Sequence, residues 1–219
     1  DLLTGTHALA LLAAWPHAQQ SPPQPPPAPQ QPSEIVTTIS GDSSGAPPRL
    51  AVPDFIPLSA DAETAAVAKT IGAVLWDDLN YEREFAFIPR DVYATIPKAT
   101  SFNDVPFDRW RELNADGLVV GTVQKIASGF HVEMRLYDVR TKQPVYPRQY
   151  DGGANARLYA HTMSDEIHKS QRGLNGVARS KLTFDSDRDG ERMSNTVQAR
   201  NIKEIYISDY DGENQRRVT

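Results

Sequence analysis

Residues 118–136 read LVVGTVQKIASGFHVEMRL, and their pattern decides the architecture. Leu118 to Val123 is a nearly continuous apolar run, as expected of a central strand. Ala127, Ser128 and Gly129 then supply a turn. Beyond it Phe130, Val132, Met134 and Leu136 alternate strictly with His131, Glu133 and Arg135, so the second strand buries one face. A further turn at residues 141–143 leads to a third strand over 145–150, completing an antiparallel meander.

Helical periods flank this meander. Val67, Ile71, Val74, Leu75 and Leu79 fall on one face of a helix over residues 61–81, opened by Ser59 and Asp61. Asp77, Asp78 and Glu82 lie off that face and are expected in solvent. Leu158, Tyr159, Thr162, Met163 and Ile167 mark a second helix over 155–171, with Gly173 past its end. Between them, residues 85–88 suggest a short strand ended by Pro89. Residues 90–106 read as loop and residues 107–113 as a short helix. Upstream, LAVPDFI at 50–56 reads as the first strand, with Pro53 marking an edge position or a strand end. The order β-α-β-α-β-β-β-α over residues 50–173 is that of a small mixed α/β sandwich. Trp76 and Trp110 sit on apolar faces and read as core.

The two ends differ from this body. Residues 8–14, ALALLAA, have the length of a signal-peptide apolar region, so residues 1–18 are expected to be a signal remnant whose start has been lost; an apolar tail is the alternative. Residues 19–33 form a proline-rich linker, since proline fixes φ and removes donors. Residues 34–58, EIVTTISGDSSGAPPRLAVPDFIPL, hold two β-prone runs separated by a Gly/Asp/Ser/Pro loop. The first run, β-branched at five successive positions from Ile35 to Ile39, is suited to adding a strand to another protein's sheet edge. It is expected to hang from the fold rather than to stabilise it. At the other end, residues 181–185, 204–208 and 215–219 suggest strands separated by Asp189-Gly190 and Asp211-Gly212 turns, as in one blade of a β-repeat. A lone blade leaves apolar faces uncovered, so further sequence is expected beyond Thr219.

Charge and composition exclude several functions. The 219-residue chain carries a formal net charge of −5. Asp1, Glu34 and Asp42 are the only charged residues up to Pro48, so the rest carries −2 (−5 less −3). A nearly balanced body lacks the basic face that nucleic acid requires, and Gln215-Arg216-Arg217 is too short to provide one. The absence of cysteine excludes disulfides and thiolate chemistry. No apolar run approaches the ~18–20 residues of a membrane-spanning helix.

Catalytic and metal patterns are weak. Asp185, Asp187 and Asp189 with Gly190 match the start of a calcium loop, but the twelfth position is Thr196 rather than glutamate, and an acidic turn is the alternative. His161 and Asp165 lie one helical turn apart and His168 two turns from His161, without a nucleophile or a metal-ligand pair. Phosphate-binding glycine loops and a G-x-S-x-G elbow are absent from the sequence. No cofactor is expected.

Several stretches together resemble the TolB family of the Tol-Pal system. They are EIVTTISGDSSG (34–45), RLAVPDF (49–55), LNADGLVVGTVQK (113–125), YAHTMSDEIHKSQRGLNGVARSKLTF (159–184), and DSDRDG followed by EIYISDYDGENQRRVT (185–219). The resemblance covers about residues 34–219. The blade repeat alone is unspecific; the ordered set, with HTMSDEI at the junction, is specific. The resemblance implies a partner-binding tail (34–49), an α/β domain (50–178) and the first blade (179–219) of a β-propeller. It further implies a non-enzymatic periplasmic scaffold between the inner-membrane protein TolA and the lipoprotein Pal. The TolA-binding element maps to Glu34, Ile35, Val36, Thr37, Thr38, Ile39 and Ser40, whereas Pal is expected on propeller sequence outside this chain. The proline linker and the long loop at 194–200 depart from the family pattern. Two alternatives remain: the front of a propeller-bearing peptidase, and an α/β module of an envelope export or assembly lipoprotein.

Overall fold

The computed structural model describes residues 38–39, 41, 46–194 and 200–219. The expected signal remnant and proline linker lie outside them, as do Glu34, Ile35, Val36, Thr37 and Ser40. The elements are β1 (Arg49–Ala51), β2 (Ile56–Pro57), α1 (Ala62–Glu82), β3 (Ala86–Phe87), a 3-10 helix (Arg90–Thr95), α2 (Phe107–Glu112), β4 (Gly117–Ile126), β5 (Gly129–Asp138), β6 (Gln143–Asp151), α3 (Ala156–Arg172), β7 (Lys181–Ser186), β8 (Glu204–Asp209) and β9 (Arg216–Arg217).

A six-stranded sheet runs β3-β1-β4-β5-β6, with β2 also paired to β4. The β4–β5–β6 meander is antiparallel, whereas β1 and β2 lie parallel to β4. The mixed α/β architecture is therefore as expected, and β4 is the central strand. Its two faces feed two cores. Val119 and Val123 join Phe130, Val132, Met134 and Leu136 beneath α1 and α3. Leu118 and Val120 join Trp110, Ile96 and Tyr137 under the 3-10 helix and α2. Burying one such aliphatic or aromatic side chain contributes roughly 1.5–3 kcal/mol.

The expected first strand over 50–56 is divided. β1 stops at Ala51, the chain turns through Pro53, and β2 rejoins β4 at Thr122, four residues beyond Leu118, the partner of Ala51. Pro53 marks a strand end, but β1 is not an edge, since it lies between β3 and β4. The detour has a packing cause. Phe55 reaches the sheet where Gly121 has no side chain; a Cβ there would lie 2.1 Å from the Phe55 ring. The region expected as loop after Pro89 contains the 3-10 helix.

Local chemistry sets the helix ends. Asp61 is the N-cap of α1, accepting from the Thr64 amide, and Ser59 hydrogen-bonds the Asp61 carboxylate at 2.5 Å rather than capping the helix itself. The Ser59 hydroxyl, helped by the Thr64 amide and hydroxyl, holds the Asp61 carboxyl well below the usual carboxylate range. Asn155 caps α3, and Gly173 ends it at φ 71°, a left-handed conformation suited to glycine. A short connection then leads into the separate antiparallel sheet β7-β8-β9.

Candidate functional site

The tail reaches the fold through Ile39. Thr38 is exposed, but Ile39 is only 2% exposed and belongs to the core beneath α1 and α3. Its amide donates to Gln171 Oε1 at 2.8 Å, and Gln171 itself is buried in the last turn of α3. Ile39 fits because residue 117 is glycine: a Cβ there would lie 2.7 Å from Ile39 Cδ1 and 2.5 Å from Leu50 Cδ2. This corrects the expectation that the run over residues 34–39 is merely tethered. Its last apolar residue is part of the packed interior.

Beside this anchor, α1 and α3 share a polar seam that the sequence reading placed in solvent. Asp78 is 1% exposed and Glu82's side chain 5% exposed, whereas Asp77 is exposed as expected. Asp78 and Glu82 are one turn apart on α1; His161 and His168 are two turns apart on α3. Packing the helices places each acid against an imidazole. His161 Nδ1 lies 2.7 Å from Asp78 Oδ2, and the Tyr210 hydroxyl donates to Asp78 Oδ1 at 2.6 Å. His161 Nε2 faces Asp209 Oδ2 at 3.7 Å without a hydrogen-bond partner among the described residues. Asp209 pairs with Lys181, and Arg157 pairs with Asp211. Thus Asp78 and His161 from the α/β domain meet Asp209 and Tyr210 from β8 and its turn.

The second pair secures the connection between the two sheets. Glu82 Oε1 accepts the Val177 amide at 3.0 Å, while Asp165 accepts the Ala178 amide at 2.8 Å and the Arg179 side chain at 2.9 Å. Gly176 passes so close that a Cβ would lie 2.4 Å from Asp165 Oδ1. Glu82 Oε2 and His168 Nδ1 are 2.8 Å apart but outside hydrogen-bonding geometry. Burial, with neighbouring acids, pushes the Glu82 carboxyl up to about 7 despite the Val177 amide. Burial also pushes the His168 imidazole down. Both groups therefore tend towards their neutral forms, because burial penalises the charged ones.

The acidic turn does not gather its carboxylates. Asp185 pairs with Lys203 at 2.6 Å, Asp187 accepts from Asn201 at 3.0 Å, and Asp189 pairs with Arg217 at 3.0 Å. Among the described residues, the one cluster with metal-ligand proximity is Asp78, His161 and Asp211. There Asp78 already accepts from His161 and Tyr210, and Asp211 is paired with Arg157. The network's acids and imidazoles are used to join elements. The sequence held one signal for it, acids spaced i,i+4 on one helix and histidines i,i+7 on another, but nothing to show that these faces meet.

Fold and site together define a mixed α/β domain joined through a buried polar seam to an antiparallel three-stranded sheet. The chain belongs to the TolB amino-terminal domain family, whose sequence model matches residues 36–145, 110 of the 219 residues. The Tol-Pal system protein TolB of Cereibacter sphaeroides is 33% identical over 172 residues, 77% of this chain and 36% of that protein. Its namesake in Desulfosudis oleivorans is 27% identical over 173 residues, 78% of this chain and 37% of that one. The crystal structure of TolB from Acinetobacter baumannii superposes with a TM-score of 0.56 over 80% of this chain and 39% of that one, at 20% identity, a likeness of fold. The chain spans a little over a third of the length of these relatives.

Proposed function

We propose that this chain is the amino-terminal part of a non-enzymatic periplasmic scaffold of the Tol-Pal system, supporting envelope integrity and outer-membrane constriction during division. The observation that carries this reading is the family match together with relatives named for that system. Among the described residues no helix is long and apolar enough to cross a membrane. In this reading Glu34, Ile35, Val36, Thr37, Thr38, Ile39 and Ser40 form the strand offered to TolA, residues 50–178 the α/β domain, and residues 179–219 the first blade of a propeller that binds Pal.

Two structural features support the assignment. Ile39 anchors the C-terminal end of the tail to α3. Leu182 and Ile205, 49% and 48% exposed, lie on opposite faces of the three-stranded sheet, since Leu182 pairs with Ser208 and Ile205 with Asp185. A blade flanked on both sides by other blades requires apolar groups on both faces. Ordering the six residues of the 34–40 stretch other than the docked Ile39 on a partner costs roughly 6–12 kcal/mol of backbone entropy, so a moderate, reversible affinity is expected.

The test is a double substitution, Ile35→Asp with Val36→Asp, in the full chain. It is expected to abolish capture of TolA while leaving the melting temperature unchanged. Undiminished TolA binding by the double variant rules out this tail as the binding element.

A further inference from the structure

Beside β2, between α1 and the segment that carries the 3-10 helix, a cavity of about 580 Å³ opens, lined by Ala65 and Lys69 of α1 on one side and Arg90, Tyr93 and Ala94 on the other. Its volume lies within the ~300–1,000 Å³ usual for ligand sites. Phe55, Ile96, Trp110 and Val120 line it, and each is less than a tenth exposed as a residue. The apolar floor is thus built from core side chains and is preformed. The detour at Pro53 that separates β1 from β2 and the 3-10 helix Arg90–Thr95 contribute its walls.

The charge of this cavity runs against that of the chain. Its charged lining residues are Asp54, Lys69, Arg90 and Lys98, a local balance of +2 (three cations less one acid) on a chain of −5. Arg90 is paired with Asp54 at 3.0 Å. Lys69, on α1, and Lys98, in the loop after the 3-10 helix, are exposed and have no ion pair among the described residues. Two unpaired cations above a preformed apolar floor complement an occupant with an anionic head and an apolar body.

We propose that this cavity binds a single-chain amphiphile of the fatty-carboxylate type, its chain lying on Phe55, Ile96, Trp110 and Val120 and its carboxylate held at the rim by Lys69 and Lys98. A small amphiphile fits better than an extended peptide. β2 is only two residues long, its second residue is a proline without an N–H, and the next amide, of Leu58, is already donated to Val123. A peptide strand would therefore find little main-chain pairing here.

Calorimetric titration of the full chain with dodecanoate, below its micellar concentration, tests the proposal. Dodecyl maltoside and dodecylammonium serve as neutral and cationic heads on the same tail. The net negative chain attracts the cation, so preference for the carboxylate has to come from the rim. Dodecanoate is expected to bind at least tenfold more tightly than either. Lys69→Glu combined with Lys98→Glu is expected to weaken it at least tenfold. Ala65→Trp and Ala94→Trp, exposed positions lining the cavity, are expected to abolish binding with unchanged melting. Equal affinity for the three heads, unaltered binding by the charge-reversed variant, or full binding by the tryptophan variants overturns the proposal. So does capture of an alternating Glu-Leu decapeptide in place of dodecanoate.

Discussion

At the scale of single residues, burial decides the behaviour of groups whose type alone suggests solvent. Asp78 and Glu82 lie off the apolar face of α1, yet α3 covers both and supplies an imidazole to each. Glu82 gives this a measurable sign. Its carboxyl, ordinarily near 4.5, is pushed up to about 7 in the folded protein. A raised carboxyl contributes stability that is fully present below pH 4.5 and is lost as the pH rises through about 7. His168, pushed below its ordinary 6.5 by burial, acts in the opposite direction as the pH falls. Chemical denaturation across pH 4–8 is therefore expected to show that Glu82→Gln removes a decline in stability between pH 4.5 and 7. A variant whose pH profile parallels the parent's indicates that Glu82 is ionised and satisfied in the fold.

At the scale of elements, glycines locate the closest approaches between neighbouring segments. Gly121 admits the Phe55 ring to the middle of β4, and Gly72 lets α1 rest on the turn between β1 and β2. A Cβ on Gly72 would stand 2.8 Å from Asp54 Cα and 2.9 Å from Pro53 O, backbone atoms that cannot rotate away. Alanine at a helix-interior position ordinarily gains roughly 0.5–1 kcal/mol over glycine. Here the clash is expected to reverse that sign, and Gly72→Ala should destabilise by about 1–3 kcal/mol in urea unfolding. A stabilised Gly72→Ala would mean that α1 can lift from the turn. Element existence was largely legible: the periodic runs of α1, α3 and the β4–β5 hairpin emerge within a few residues of their expected bounds. The division of the first strand was not, because its cause is a ring seated on Gly121, 66 positions away in sequence (121 less 55).

At the scale of the whole molecule, the tail, the α/β domain and the three-stranded sheet meet around α3. Its last turn holds Ile39 through Gln171, its middle holds Asp78 and faces Asp209, and Asp165 holds the connecting segment. Ile39 therefore has a structural role in addition to the partner contact proposed for the tail. Ile39→Ala is expected to cost about 1.5–3 kcal/mol, read as a fall of several degrees in melting temperature. With Ile35→Asp/Val36→Asp leaving melting unchanged, the two variants separate the docked root of the tail from the rest of the stretch proposed to meet TolA. Unchanged melting of Ile39→Ala would show that the docked residue contributes little to the fold. The β-branched composition of the tail is legible in the sequence but its anchor is not, since neither Gln171 nor Gly117 carries a pattern that points to Ile39.

The sequence alone determined the longer periodic elements, the central position of β4, the one-sided burial of β5 and the family resemblance, because these follow from local periodicity and contiguous motifs. Tertiary structure alone decided which polar side chains are enclosed, where Ile39 docks, and where a cationic rim faces an apolar cavity. The physical reason is that desolvation and close packing depend on which surfaces meet. Asp78 and His161 are 83 positions apart, and only the packing of α1 on α3 brings them to 2.7 Å.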